Sequence, residues 1–373
     1  MQFRDLIRQY QHLKPSIDQA MLQVAASGSY IMSEAVTSLE NRLAQYVGVR
    51  HCITCANGTD ALYLALRCWD IGPGDLVFVP DFTFFASAEV VAMCGATPVF
   101  VDVDSRTFNI SPDDLESKIA SAGTLYSGTP RAVIAVDLFG LPANYDAIRP
   151  IAHKHGLHLL EDGAQGFGGS LGHRRACSFG DIATTSFFPA KPLGCYGDGG
   201  ALFTDSDEWA SLLRSLRVHG KGTDKYDNVR IGLNSRLDAL QAAILDVKLT
   251  AFANHELDAV NQAAAQYSSL LAGSTQCPCI PDGYTSSWAQ YTITLANPSR
   301  RDQLRQQLQT MGIPTAVYYP KPMHAQTAFA KLPPSDCPIA SSLAQSVLSL
   351  PIHPYITQQE IQQVATALIQ RFR

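Results

Sequence analysis

Short apolar runs alternate with segments of helical apolar spacing through the first two thirds of the chain. Runs of apolar and β-branched residues predict strands, and apolar positions recurring every three or four residues predict helices. The predicted strands are 51–55, 76–79, 97–101, 132–137, 157–161, 184–187 and 201–203, and the predicted helices are 16–26, 34–47, 60–68, 86–93, 111–120 and 144–155. Ser111-Pro112 is typical of a helix start, with an N-cap serine before a first-turn proline. This alternation predicts a mostly parallel sheet with helices on both faces.

The pattern changes after about residue 205. The predicted helices there are 206–218, 236–252, 257–272, 301–310 and 358–371, and the predicted short strands are 291–295 and 315–318. The sequence shows no internal repeat and no long linker. We therefore predict an α/β fold with two domains: a large α/β domain over residues 1–250, including an N-terminal helical segment, and a smaller α+β domain over residues 251–373.

Composition and charge argue against several classes of function. The chain has 28 Lys and Arg against 33 Asp and Glu, a net charge of −5, with no basic run to attract nucleic acid or an anionic membrane. No apolar stretch approaches the roughly 20 residues of a membrane span, and the charged N-terminus does not resemble a signal peptide. The nine cysteines are scattered without a repeated metal-ligand spacing. We expect no metal site and a reducing cytoplasm as the compartment.

Three segments place residues that could bind a ligand or react with it beside predicted strand ends, where ligands bind in open α/β sheets. Residues 57–60 (Asn-Gly-Thr-Asp) lie between a strand and a helix, where they could bind phosphate or simply cap the helix. Asp162 ends a strand and could hold a cation or cap a following helix. Lys191 lies between two prolines, which stiffen the backbone and could keep a reactive amine in one position; alternatively, Lys191 is a surface lysine. The glycines at 194–200 precede a strand, unlike a dinucleotide fingerprint, and the chain has no P-loop.

Taken together, these segments describe a pyridoxal 5′-phosphate site. The phosphate needs amides and hydroxyls, the pyridinium needs a carboxylate such as Asp162, and the aldehyde needs an amine such as Lys191, with Ser186 five residues before it.

Over essentially its whole length the sequence resembles the DegT–StrS family of sugar aminotransferases. The motifs that carry the resemblance are NGTDAL (57–62), PDFTF (80–84), EDGAQ (161–165), SFFPAKPLG (186–194), GDGG (197–200) and GLNSRLDALQA (232–242). The resemblance implies the aspartate-aminotransferase fold, fold type I, and the cofactor pyridoxal 5′-phosphate, with pyridoxamine 5′-phosphate as its second form. It also implies an enzyme that takes the amine of L-glutamate and gives it to a keto carbon of a nucleotide-linked sugar.

The resemblance assigns roles residue by residue. Lys191 is expected to bind the cofactor aldehyde and move the substrate proton, and Asp162 to pair with the ring nitrogen. Gln165 is expected to contact the ring hydroxyl and Phe84 to stack on the ring. The expected phosphate ligands are Gly58, Thr59, Ser186 and, from the neighbouring subunit of a homodimer, Asn234.

One branch of the family is the most similar. It acts on UDP-linked 2-acetamido-2-deoxy-3-oxo-glucuronate for bacterial surface polysaccharides such as O-antigen. Arg236 is then a candidate for the uronate carboxylate, or a structural arginine at a helix start. The branch has His-Tyr-Pro where this chain has Tyr318-Tyr319-Pro320, so Tyr318 and Tyr319 are expected at the sugar site.

Three alternatives stay open from the sequence. A neutral 3-keto or 4-keto sugar nucleotide would need only a different sugar site. A pyridoxal-dependent sugar dehydratase is less consistent, because the dehydratases of the family carry histidine at the position of Lys191. A non-catalytic regulator is disfavoured by the complete set of predicted cofactor residues.

Overall fold

A seven-stranded sheet organises the chain, whose structure is a computed structural model that describes residues 1–224 and 226–372. The strands are β1 (His51–Cys55), β2 (Asp75–Pro80), β3 (Thr97–Val101), β4 (Thr129–Val136), β5 (His158–Asp162), β6 (Ser170–Leu171), β7 (Arg174–Arg175), β8 (Ile182–Ser186), β9 (Gly200–Thr204), β10 (Tyr284–Thr285), β11 (Tyr291–Thr294) and β12 (Val347–Leu350). The order in the large sheet is β1-β9-β8-β5-β4-β2-β3, and only β9 runs antiparallel to its neighbours. The predicted α/β class with a mostly parallel sheet is confirmed.

Helices cover both faces of this sheet. The helices of the described chain are α1 (Leu6–Ser27), α2 (Glu34–Val47), α3 (Gly58–Cys68), α4 (Ala86–Met93), α5 (Pro112–Leu125), α6 (Tyr145–Lys154), α7 (Asp207–Leu216), α8 (Ala239–Ala251), α9 (Leu257–Leu271), α10 (Arg301–Thr310), α11 (Pro338–Ser346) and α12 (Gln358–Phe372). The predicted start of α5 is confirmed, since the Ser111 side chain accepts a hydrogen bond from the Asp114 amide. None of the helices described is both long enough and apolar enough to cross a membrane.

The C-terminal part has its own apolar cluster. The antiparallel pair β11–β12 packs with α9, α10 and α12 through side chains that include Ile293, Leu308, Leu348 and Val364, all fully buried. A π-helical turn, Phe252–Glu256, joins α8 directly to α9. Because the helices continue across this region without a loop, the domain boundary between residues 250 and 251 stays a prediction.

Several predicted elements are wrong. The strand predicted at 315–318 does not form. Ala316 makes a single bridge to Ser349, and β11 pairs instead with β12, which the sequence reading missed together with α11. Helix α1 begins at Leu6 and runs through Pro15, where the prediction began the helix only after the proline. The helix predicted from residue 236 begins at Ala239.

Candidate active site

One cavity of about 490 Å³ lies where the carboxyl ends of β4, β5 and β8 meet the start of α3. Nine of the predicted site residues line it: Gly58, Thr59, Phe84, Asp162, Gln165, Ser186, Lys191, Tyr318 and Tyr319. A larger hollow of about 1050 Å³ between α1, α2 and α8 contains none of them. The smaller cavity is therefore the candidate active site, at the edge of the sheet where the sequence predicts it.

The first wall of the cavity is the turn that opens α3. Asn57 accepts a hydrogen bond from the Asp60 amide at 2.8 Å, so the predicted capping role is real. The turn also faces the cavity, with Gly58 and Thr59 in its lining. A Cβ on Gly58 would lie 2.7 Å from the Ser186 Cβ, so only glycine lets the two segments come this close. A helix N-terminus beside two hydroxyl side chains is suited to a phosphate.

Asp162 forms the second wall, at the last position of β5. Its side chain is nearly buried; Oδ2 accepts from the Ser87 hydroxyl at 2.8 Å and Oδ1 from the Ala164 amide at 3.2 Å. Burial raises the pKa of Asp162, while these two hydrogen bonds and the charge of Lys191 lower it. Turns follow Asp162 rather than a helix. The alternative that this residue caps a following helix is therefore wrong.

The neighbouring acid, Glu161, has a different environment. Its carboxylate is fully buried and accepts from the backbone amides of Cys177, Phe179 (2.6 Å) and Gly180 (2.9 Å). Burial raises the pKa of Glu161, and the three amides oppose that shift. It is a structural carboxylate that ties the loop before β8 to the sheet.

Lys191 lies in the segment 188–194, which links β8 to the glycine-rich loop before β9. The side chain lines the cavity. Burial lowers the pKa of its amine; the Asp162 carboxylate opposes the shift and the Arg4 charge adds to it. The alternative of a surface-loop lysine is therefore wrong.

Gln165 and Tyr319 form a linked pair in the cavity wall. The side-chain oxygen of Gln165, Oε1, accepts a hydrogen bond from the Phe139 backbone amide at 2.7 Å. Its side-chain nitrogen, Nε2, donates to the Tyr319 hydroxyl at 2.9 Å. The ring of Phe84 is about half exposed and its centroid lies 6.1 Å from that of Tyr319. An exposed phenyl ring in a cavity lining offers a flat apolar surface to a ligand.

Asn234 and Arg236 lie outside the lining of this cavity, unlike the other predicted residues. Asn234 is exposed and makes a backbone bridge to Val218. The residue between them, Ser235, is buried; it donates to Asp60 at 2.6 Å and accepts from the Ala56 amide at 3.0 Å. The segment is thus anchored beside the first turn of α3.

The residues that were not predicted from the sequence include Ser87, Gln290 and Arg4, of which Gln290 lines the cavity and the other two contact residues that line it. Ser87 is missed because its contact with Asp162 spans 75 positions. Gln290 lines the cavity with a buried Oε1 that accepts no hydrogen bond from the described residues. Arg4 donates to the backbone oxygen of Lys191 at 3.2 Å. Asn57 also lines the cavity, and it carried a local signal, the Asn-Gly pair before a helix.

The groups in this cavity fit pyridoxal 5′-phosphate. An anion-binding turn, a buried carboxylate and an amine whose pKa is lowered by burial face one space, each matching one functional group of the cofactor.

Comparison with known proteins agrees with this reading. The DegT/DnrJ/EryC1/StrS aminotransferase family model matches residues 11–369. The UDP-2-acetamido-2-deoxy-3-oxo-D-glucuronate aminotransferase of Pseudomonas aeruginosa is 44% identical over 371 residues, 99% of each chain. The UDP-N-acetyl-3-dehydro-α-D-glucosamine 3-aminotransferase of Acidithiobacillus ferrooxidans is 41% identical over 98% of this chain and 96% of its own.

Among solved structures, a DegT DnrJ EryC1 StrS aminotransferase from Brucella abortus superposes with a TM-score of 0.96 at 46% identity, covering 100% of this chain and 99% of its own. This likeness confirms the predicted fold type I, and the family match confirms the predicted enzyme class. The chain therefore belongs to the DegT/DnrJ/EryC1/StrS aminotransferase family.

Proposed function

We propose that this protein is a pyridoxal 5′-phosphate-dependent nucleotide-sugar aminotransferase that moves the amine of L-glutamate to C3 of UDP-2-acetamido-2-deoxy-3-oxo-glucuronate. The observation that carries the proposal is the convergence of Lys191, Asp162 and the Gly58–Thr59 turn on one cavity. The 44% identity to an aminotransferase named for that sugar supports the choice of substrate. Bacterial surface polysaccharide, including O-antigen, is the proposed destination of the product.

Different residues of the chain would have different roles in the proposed reaction. When bound, pyridoxal 5′-phosphate supplies the aldehyde that takes up the amine and the ring that delocalises negative charge from the reacting carbon. Asp162 would keep the ring nitrogen protonated, and Gln165 would contact the ring hydroxyl. Lys191 would hold the aldehyde and later accept and return the substrate proton at Nζ, a task that suits an amine whose pKa is lowered.

The remaining cavity residues would bind and orient the cofactor and the sugar. Gly58, Thr59 and Ser186 surround the anion-binding turn and would hold the phosphate. Phe84 would cover one face of the ring. Tyr319, held by Gln165 at 2.9 Å, would present its hydroxyl to the sugar together with Tyr318.

We propose a homodimer with sites shared across its interface. Asn234 and Arg236 lie outside the cavity of their own chain, so in this proposal they act in the cavity of the partner, Asn234 on the phosphate and Arg236 on the uronate carboxylate. The segment just before them exposes Ile231 to 90% and Val229 to 53%, which favours burial against a second copy. The three residues 30–32 expose further apolar side chains beside Asp238.

A mixing experiment tests the shared site. Lys191→Ala and Asn234→Ala homodimers are each expected to be nearly inactive. If Asn234 acts on the partner, a mixed dimer contains one site with neither substitution, and mixing with subunit exchange restores up to a quarter of wild-type activity. If Asn234 acts within its own chain, no intact site forms and activity stays at the level of the separate variants.

A neutral UDP- or dTDP-linked 3-keto or 4-keto sugar is the second candidate substrate. It is favoured by Tyr318, which replaces the histidine of the uronate branch, and by the 41% identity to a relative named for a UDP-sugar without a carboxylate. A dehydratase or a regulator is less consistent with Lys191 facing Asp162 in one cavity.

The deciding experiment follows amine transfer from L-glutamate to UDP-2-acetamido-2-deoxy-3-oxo-glucuronate, UDP-3-oxo-N-acetylglucosamine and a dTDP-4-keto sugar. The uronate should give the highest kcat/KM, and Arg236→Ala should lower that value at least tenfold while sparing the neutral sugars. Equal loss on both would contradict the role of Arg236. Borohydride reduction followed by peptide mass spectrometry should place the cofactor on Lys191, and a Lys191→Ala variant with normal turnover would contradict the whole proposal.

All nine cysteines are free thiols and seven are buried. This supports a reducing compartment, the cytoplasm, as the proposed place of action.

A further inference from the structure

Two cationic side chains hold the segment that carries Lys191. Arg4 donates from Nη2 to the backbone oxygen of Lys191 at 3.2 Å and from Nη1 to that of Ala289 at 3.5 Å. Lys248, only 1% exposed, donates from Nζ to the backbone oxygen of Gly194. The two cations thus bind carbonyl oxygens at two points of the same short segment, 188–194, neither of which belongs to a strand or helix.

Both cations are held in place by elements outside that segment. Arg4 lies just before α1. Its neighbour Phe3 packs edge-on against Tyr318, with ring centroids 6.2 Å apart, and accepts a backbone hydrogen bond from Ile352. Lys248 lies in α8. The N-terminal segment before α1 therefore contacts two residues that line the cavity, Lys191 and Tyr318.

The two cations share a buried acid. Burial lowers the pKa of Arg4 to about 10 and that of Lys248 to about 8, and Glu256 opposes both shifts. The Glu256 carboxylate is 1% exposed and accepts from Gln9 at 2.9 Å and from the Tyr355 hydroxyl at 2.7 Å. A buried cation is costly unless an opposite charge compensates it, and the charge of Glu256 does so for both Arg4 and Lys248.

We propose that Arg4 and Lys248 are positioning residues for Lys191: both anchor the backbone of its segment, and Arg4 also places a positive charge beside the reacting amine. The inference rests on the proposed role of Lys191. The groups whose charges act on that amine are Asp162, from β5, which favours its protonated form, and Arg4, from the N-terminal segment, which disfavours it. Only an uncharged amine can attack an aldehyde or accept a proton.

The two residues should therefore have separable effects. Loss of the Arg4 charge removes a repulsion, so the pKa of the free Lys191 amine should rise. Lys248 acts on the backbone oxygen of Gly194 and is not among the charges that act on the Lys191 amine, so its loss should leave that pKa unchanged. Both substitutions should lower kcat about tenfold to a hundredfold, since small displacements of a reacting group have effects of that size.

The test uses full-length protein loaded with pyridoxamine 5′-phosphate, in which the Lys191 amine is free. Labelling of that amine by acetic anhydride is measured against pH by peptide mass spectrometry for wild type, Arg4→Gln, Arg4→Lys, Lys248→Met and Arg8→Gln. Arg8 is the matched control: it lies in the same region and donates to Tyr355 and Glu360, away from the lysine segment. Melting temperature and kcat are measured for each variant.

The labelling midpoint should move to higher pH in Arg4→Gln, return close to wild type in Arg4→Lys, and stay unchanged in Lys248→Met and Arg8→Gln. An unchanged midpoint in Arg4→Gln, or an equal shift in Arg8→Gln, overturns the electrostatic role of Arg4. A kcat within twofold of wild type in Lys248→Met overturns the anchoring role of Lys248. If Arg4→Gln does not fold, Arg4→Met takes its place as the uncharged variant: a midpoint moved to higher pH supports the electrostatic role of Arg4, and an unchanged midpoint overturns it. Loss of wild-type transamination itself would instead refute the proposed function.

Discussion

The hydrogen bond from Ser87 to Asp162 gives a prediction that depends on the tertiary structure alone. The Ser87 hydroxyl donates to Asp162 Oδ2 at 2.8 Å; Ser87 is fully buried and Asp162 is 5% exposed. Thr83, four positions before Ser87, has its hydroxyl oxygen 3.2 Å from that of Ser87. We expect Ser87→Ala to weaken catalysis without disturbing the fold.

The size of the effect follows from the charge of the acceptor. A hydrogen bond to a charged group contributes about 1.5–3 kcal/mol, which corresponds to roughly 10- to 150-fold in rate. The bond stabilises the ionised form, so its loss raises the pKa of Asp162 beyond the rise that burial already causes. A protonated Asp162 cannot keep a ring nitrogen charged. The acid limb of the rate profile should therefore move to higher pH.

The assay is the single-turnover reaction of the cofactor-loaded protein with L-glutamate, followed by absorbance from pH 5 to pH 9. Ser87→Ala should lower the rate at least tenfold at pH 7 and less at higher pH. Ser111→Ala is the matched control, because Ser111 caps α5 outside the cavity and its loss should affect stability alone. A Ser87→Ala rate within twofold of wild type across the pH range would refute the reasoning.

Two further predictions concern a close approach and a buried ion pair. Gly58→Ala would bring a Cβ to 2.7 Å from the Ser186 Cβ, so cofactor affinity in a fluorescence titration should fall at least tenfold, whereas Gly123→Ala, with nothing within 4 Å, should leave it unchanged. Glu40→Ala would leave the buried Arg217 guanidinium without the carboxylate it contacts at 2.5 Å, and urea unfolding should show a loss of about 3–5 kcal/mol. A loss below 1 kcal/mol would mean that water reaches the arginine.

The parts of the fold that the sequence predicts are those with a local signal. Strand β5 and the residue that ends it follow from an apolar run that stops at two acids, and α5 follows from Ser111-Pro112. The cavity follows in turn, because parallel strands of one sheet place their carboxyl ends at one edge. The location of Asp162 and Lys191 in one cavity at this edge could thus be predicted from the sequence.

The features that could not be predicted from the sequence depend on contacts between residues far apart in the chain. β12 and the segment 315–318 carry similar apolar and β-branched residues, and only the partner strand decides which one pairs with β11. Arg4 contacts a carbonyl 187 positions away. In the proposed homodimer, the position of Arg236 relative to a cavity depends on a second copy of the chain, which no pattern within one chain describes.

Glu161 and Asp162 are adjacent acids of one strand, but their carboxylates have different surroundings. Successive side chains of a strand face opposite sides, so only one of the two can face the cavity. An ionised carboxylate has about four acceptor positions. Glu161 fills three of them with backbone amides, whereas Asp162 fills two, with Ser87 and Ala164, and lines the cavity. Both carboxyl pKa values are raised by burial, but only Asp162 lines the cavity with unfilled acceptor positions. A protonated ring nitrogen there would stabilise a charge that the protein itself leaves incompletely compensated.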